Sequence, residues 1–265
     1  MKRLVTAILL IAAAIYLIFL APQPVFIAAA MCMGLLCYYE FSGLVAKYGI
    51  QKPGVVGVLV GLLILLRPQY TLLGVALLVV AALSFSLRQD DLGQILPQVA
   101  CAFFGAFYTF APWRFAADLR RESIHLLFFA LALNWVGDTA AYYVGGRFGR
   151  HKLAPVVSPK KTWEGAIASI AFSVIFGILY LGNVSRLGSV THKFSWLLIA
   201  LMASLGNIAG QLGDLAESAI KRGAAVKDSG RMLPGHGGML DRVDSSLFAL
   251  PVVYGIYLVS LFVSI

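Results

Sequence analysis

Charge is what this chain has least of. Only 12% of its 265 residues are charged and 60% are hydrophobic, against about a quarter charged and half apolar in a soluble domain. That excludes an ordinary soluble domain and makes the chain a polytopic membrane protein. Acidic residues are the scarcer sign, 12 against 21 Lys and Arg, for a formal charge of +9. In a membrane protein such an excess serves positive-inside loops and anionic lipid. No segment interleaves basic and aromatic residues as a nucleic-acid module does, so no nucleic-acid partner is expected. Cysteine is limited to Cys32, Cys37 and Cys101, all inside apolar runs and without paired or metal-ligand spacing. They read as small buried apolar residues. Low-complexity segments and convincing internal repeats are also missing, which counts against an ion-coupled transporter, a class that tends to be built from repeats.

What is abundant is unbroken apolar sequence. Runs fall at about 4–20, 25–39, 54–66, 71–87, 94–112, 123–138, 165–182, 195–217 and 245–264. Continuous rather than alternating hydrophobicity favours helices over a barrel. Several runs are shorter than the ~20 residues that a span requires, so their ends must extend into the flanking loops. The pattern predicts an all-α polytopic transmembrane helical bundle of about nine spans. The first run follows Met1-Lys2-Arg3 and is long for a signal peptide. Pro22 and Pro24 stand where a small-residue cleavage site belongs, so a retained first helix is expected.

With the N-terminus cytoplasmic, 15 of the 21 basic residues fall on the inner side and 6 on the outer, which predicts an outer C-terminus. Arg114, Arg120 and Arg121, in what reads as an outer loop, run against that bias. Residues 1–120 read as scaffold and lipid-facing wall. Residues 121–265 read as a catalytic transmembrane domain, because seven of the twelve acids lie beyond residue 137: Asp138, Glu164, Asp214, Glu217, Asp228, Asp241 and Asp244. All seven are expected at or beside cytoplasmic helix ends.

The densest polar block runs from Ser218 to Asp244 and holds Lys221, Arg222, Lys227, Asp228, Arg231, Pro234-Gly235-His236-Gly237-Gly238, Asp241, Arg242 and Asp244. Glycines let backbone amides approach an anion closely, and the flanking cations suit phosphate. Asp241 and Asp244 are three apart at the start of the last span. They share a helix face there and suit the helix dipole. Simple capping is the plainer account of Asp244. The helix leading into the block carries Ser204, Asn207, Gln211, Asp214, Ser218 and Lys221 at steps of three and four, a single polar stripe. Such a stripe faces a bundle interior or a watery cavity. Hydrogen bonding between helices accounts equally well for Ser204 and Asn207, whereas an ionised Asp214 needs a cationic partner. Carboxylates converging from separate helices make an oxygen-rich site for Mg²⁺.

A second polar island runs from Asn134 to Lys152, with Asn134, Asp138 and Tyr142 four apart. It continues into Ser158-Pro159-Lys160-Lys161-Thr162-Trp163-Glu164-Gly165. Ser158-Pro159 reads as a helix start, and a helix N-terminus with two lysines and a threonine is a ready phosphate site.

These runs resemble the phosphatidate cytidylyltransferase (CDP-diglyceride synthase) family. The likeness rests on the Ser218–Asp244 block, the Ser158–Gly165 segment and the run Gly137-Asp138 to Gly146-Arg147-Phe148-Gly149. It is close over the C-terminal half; the N-terminal half is similar only in being multi-helical. The resemblance implies an integral membrane enzyme that joins CTP and phosphatidic acid into CDP-diacylglycerol and pyrophosphate with Mg²⁺, and a second monovalent cation such as K⁺. A homodimer is compatible with it, and the expected location is the bacterial inner membrane with the site cytoplasmic. On this reading Asp214, Asp241, Lys221, Lys227 and His236 are catalytic. Ser158, Lys160, Lys161, Thr162, Glu164, Ser218, Arg222, Asp228, Gly237, Gly238 and Arg242 bind substrate. Asp214 and Asp241 are the principal metal ligands, with Asp244 and Asp138 secondary. Another CTP-using lipid enzyme, such as a polyprenol kinase, is the nearest alternative.

Overall fold

A computed structural model of the chain describes residues 9, 11–187, 194–233 and 237–262. His236, assigned a catalytic role above, lies outside the described residues. The helices are α1 (Ile11–Leu20), α2 (Gln23–Lys47), α3 (Val55–Leu66), α4 (Thr71–Ser86), α5 (Ile95–Glu122), α6 (Ile124–Phe148), α7 (Trp163–Arg186), α8 (Trp196–Gly223) and α9 (Leu240–Phe262). Each predicted apolar run therefore overlaps a helix among the described residues. Among the described residues seven helical segments are long and apolar enough to cross a membrane, while Ile11–Leu20 and Val55–Leu66 are shorter. The all-α polytopic fold stands.

Two local expectations do not. The run at 94–112 does not end in a loop: α5 continues to Glu122, and Ser123 alone separates it from α6. Arg114, Arg120 and Arg121 are therefore helical. The Arg114 guanidinium donates to the Leu65 carbonyl at 3.3 Å and Arg120 Nε to the Ile18 carbonyl at 3.1 Å. Both acceptors lie in the last turn of a helix, where carbonyls lack intrahelical partners. Arg114 and Arg120 are tied to helix-end carbonyls, which explains two of the cations that loop charge alone does not.

The second correction concerns Ser158-Pro159. Ser158–Thr162 is a strand, β2, paired antiparallel with β1 (Lys152–Ala154), Lys152 opposite Thr162 and Ala154 opposite Ser158. The residue before proline is biased to extended backbone, so Ser158 cannot easily open a helix. Helix α7 starts at Trp163 instead. Thr162 is its N-cap, accepting the Gly165 N–H on Oγ1 at 3.2 Å.

The chain divides into two compact units that interleave along the sequence. One joins Ala21–Arg114 to Ile220–Arg242; the other joins Phe115–Ala219 to the residues from Val243 onward. In the first, Phe110 is fully buried, and Gly34 of α2 and Gly61 of α3 both lack the Cβ that would collide with its ring. In the second, α6 and α7 pack against each other around Phe129, Leu133 and Leu181. A buried polar ladder crosses this second core. Asn207 Nδ2 donates to the Ser169 and Ser173 hydroxyls at 3.0 Å each, Ser173 donates to the Leu133 carbonyl at 2.7 Å, and Gln211 Nε2 donates to Asn207 Oδ1 at 2.7 Å. Ser204 bonds back to the Ala200 carbonyl at 2.7 Å. Bonding between helices is therefore correct for Asn207, whereas Ser204 bonds only within its own helix.

Gly137 explains why its motif needs glycine: a Cβ there would run into Asn207, Ser169 and Ser173. Gly137→Val is expected to cost about 1–3 kcal/mol through overpacking, read as a lowered thermal unfolding midpoint of the purified protein.

Candidate active site

Among the described residues, a lysine–carboxylate pair stands in each unit, and the two are built differently. In the first unit α8 ends in a double-bonded turn. Val226 N–H reaches the Lys221 carbonyl at 2.9 Å and Ala225 N–H the Arg222 carbonyl at 3.0 Å, the helix-ending pattern that places a left-handed residue just after the helix. Ala225 occupies that position at φ 55°, where glycine is the residue of least strain. The turn sends the chain into the loop that leads to α9.

On the last turn of α8, Lys221 Nζ meets Asp241 Oδ1 at 2.5 Å, with the two side chains 11% and 8% exposed. The other Asp241 oxygen is saturated by the loop: Oδ2 accepts from Ser229 N–H at 3.0 Å, the Ser229 hydroxyl at 3.0 Å and Gly238 N–H at 2.8 Å. A carboxylate this enclosed persists only because four donors replace its water. Gly237 stands at φ 83°, and its carbonyl accepts from Leu233 N–H at 2.9 Å, closing the loop on itself. Arg222, Lys227, Asp228 and Arg242 are exposed; Arg222 donates to the Val226 carbonyl at 3.3 Å.

In the second unit Lys161 of β2 meets Asp214 Oδ2 of α8 at 2.6 Å, with side chains 24% and 32% exposed. Lys161 also reaches the Gln211 carbonyl at 3.5 Å, and Ser218 donates to the other Asp214 oxygen at 3.4 Å. Asp138 on α6 is within electrostatic reach of Asp214 and Lys161. The two lysines of the strand differ in burial: Lys161 is partly buried against Asp214 while Lys160 stays exposed. Glu164 accepts from His151 Nδ1 at 2.6 Å. Asp244 accepts Ser245 N–H on Oδ1 at 2.7 Å, so a local turn contact is part of its role.

Asp214 thus has the cation it requires, and the predicted residues gather into two clusters, Lys221–Ser229–Gly238–Asp241 and Asp138–Lys161–Asp214–Ser218. Among the described residues no three His, Cys, Asp or Glu side chains converge as a ready metal cage. The donor chemistry nonetheless fits a hard divalent cation, since the candidate ligands are carboxylate oxygens. Asp214 and Asp241 each already hold one positive charge against an oxygen.

The model for the cytidylyltransferase family matches residues 1–260 of this chain. The chain belongs to the cytidylyltransferase family. It is similar to a phosphatidate cytidylyltransferase of Staphylococcus aureus (strain COL), 36% identical over 215 residues that cover 77% of this chain and 78% of the relative. That of Staphylococcus epidermidis (strain ATCC 35984) is 34% identical over 232 residues, covering 84% and 86%. That of Staphylococcus haemolyticus (strain JCSC1435) is 42% identical over 163 residues, covering 62% and 58%.

Two acids of this cytidylyltransferase have no role in the sequence reading yet are conspicuous in the fold. Glu217 is 0% exposed on α8, one turn beyond Asp214. Glu40 of α2, within the half read as scaffold, is 4% exposed and bonds the loop before α9. The signal for both was in the sequence: an ionisable residue inside an apolar span marks function by default.

Proposed function

We infer that this chain is a CTP-dependent nucleotidyltransferase, a phosphatidate cytidylyltransferase that converts CTP and phosphatidic acid into CDP-diacylglycerol and pyrophosphate. Family membership over nearly the whole chain supports the activity, and the enclosed Lys221–Asp241 pair is the observation that carries its placement. A phosphate oxygen of phosphatidate attacks the α-phosphorus of CTP, the bond between the α-phosphorus and the bridging oxygen breaks, and pyrophosphate leaves. The attacking phosphate is already an anion near neutral pH, its second pKa being about 6, so no strong general base is required. The task left to the protein is to bring anions together and hold them aligned.

Lys221 and Lys161 suit that task. Each is held by a carboxylate in a set position, so its ammonium is aimed before substrate arrives. Lys160, Arg222, Lys227 and Arg242 add exposed positive charge that draws the nucleotide and the anionic lipid surface. Thr162 and Glu164 fix the start of α7 and the strand that carries Lys161. In the second unit Asp214, with Asp138 and Asp244 as further oxygen donors, and in the first unit Asp241 are the carboxylates that would bind Mg²⁺, with a monovalent ion such as K⁺ as a companion. Bound Mg²⁺ supplies charge neutralisation on the phosphates. The bias of loop charge supports a cytoplasmic site in a bacterial inner membrane.

Incubation of the purified protein with CTP, Mg²⁺ and phosphatidic acid tests this. CDP-diacylglycerol and pyrophosphate are expected in equal amounts, and a product lacking cytidine would overturn the assignment.

A further inference from the structure

Glu40 belongs to no step above, yet it is 4% exposed and its carboxylate accepts three hydrogen bonds. Its Oε1 accepts Met239 N–H at 3.0 Å, and its Oε2 accepts Leu240 N–H at 2.8 Å and the Ser229 hydroxyl at 3.0 Å. Met239 and Leu240 open α9, where N–H groups have no intrahelical acceptor, so Glu40 caps that helix from α2 and places its charge at the favourable end of the dipole. The Ser229 hydroxyl lies 3.0 Å from both Glu40 Oε2 and Asp241 Oδ2. It has one proton, so it serves one carboxylate at a time and links the two. The loop is shaped around this group: a Cβ on Gly230 or Gly238 would strike the Glu40 carboxylate.

We propose that Glu40 is a positioning residue for cytidylyl transfer, holding Ser229, Met239 and Leu240 so that the loop presents Asp241 and Lys221 in working geometry. The proposal rests on the reading of Asp241 as part of that chemistry. It does not follow from a role in folding alone, because the same two carboxylates grip the segment from both sides and Asp241 shares its Ser229 donor with Glu40.

Glu40→Gln keeps the shape but turns an NH₂ group toward Met239 N–H or Leu240 N–H, donor against donor. Outer-shell partners of this kind change activity or metal affinity by about 10–100-fold. The full-length protein in detergent is assayed for kcat and for the KM of CTP, and amide hydrogen exchange is followed over residues 229–241. Glu40→Gln is expected to lower kcat about 10–100-fold with little change in the KM of CTP, and to speed exchange at 229–241 while α6 and α7 exchange as in the wild type. Glu40→Asp, which keeps the charge, recovers part of both.

Folded Glu40→Gln with wild-type kcat overturns the proposal, as does faster exchange with kcat unchanged, which would leave Glu40 a structural brace only. Should Glu40→Gln fail to fold, Ser229→Ala removes the shared hydroxyl alone, and an unchanged kcat there overturns it equally. If the wild type transfers no cytidylyl group, the functional reading fails instead, and the exchange rates still report whether Glu40 holds the loop.

Discussion

Asp241→Asn is expected to lower CDP-diacylglycerol formation about 100–1,000-fold, the scale of losing one preorganised charge contact to a transition state. It is expected to cost stability as well. The amide has no orientation that fits: its NH₂ faces either the Lys221 ammonium or the donors from Ser229 and Gly238. Lys221, 11% exposed, then loses its charged Asp241 partner, and breaking an enclosed pair of this kind costs about 3–5 kcal/mol. Pairing the change with Lys221→Met separates the two effects. An apolar replacement of both partners restores much of the stability, read as the thermal midpoint, while turnover stays lost. Recovery of turnover in the double variant would show that the pair is structural only.

Lys161→Ala and Asp214→Asn are expected to behave differently. This pair is about a quarter to a third exposed, so each change costs at most about 1 kcal/mol of stability. Turnover still falls about 100-fold, because the strand no longer presents an aimed ammonium. Lys160→Ala, an exposed change on the same strand, is expected to raise the KM of CTP through lost attraction while kcat stays within about twofold, as at exposed positions away from an aimed contact. Equal losses at 160 and 161 would mean that positive charge in general, rather than the Lys161–Asp214 pair, is what matters. The contrast between the pairs is physical. One is enclosed, so its variants are expected to lose stability and turnover together, while the other borders water, so its variants are expected to lose turnover alone.

The helices were legible because every apolar run had to find a helix once exposed backbone was excluded from lipid. The polar stripe of α8 was legible from its spacing, and Asp214 was singled out rightly as needing a cation. What spacing did not carry was which cation: Lys161 is 53 positions away and comes from a strand, a partnership set by tertiary packing. The strand itself was hidden because Ser158-Pro159 fits a helix start and an extended segment equally well, and the better cap, Thr162, lies four residues on. Arg114 and Arg120 were misread as loop charge because a helix running past its apolar stretch has no signature in hydropathy. Glu40 was passed over for the opposite reason. It lies alone in an apolar helix, and its partners are backbone N–H groups some 200 residues later, which no local pattern reveals.

The most direct test follows the phosphorus atoms of CTP. With phosphatidic acid, Mg²⁺ and purified protein, CTP labelled at the α-phosphate is expected to pass its label into a lipid that also contains cytidine, and CTP labelled at the γ-phosphate to release all of its label as pyrophosphate. Label from the γ-phosphate in the lipid, with CDP as the other product, would make the enzyme a CTP-dependent kinase and contradict the account.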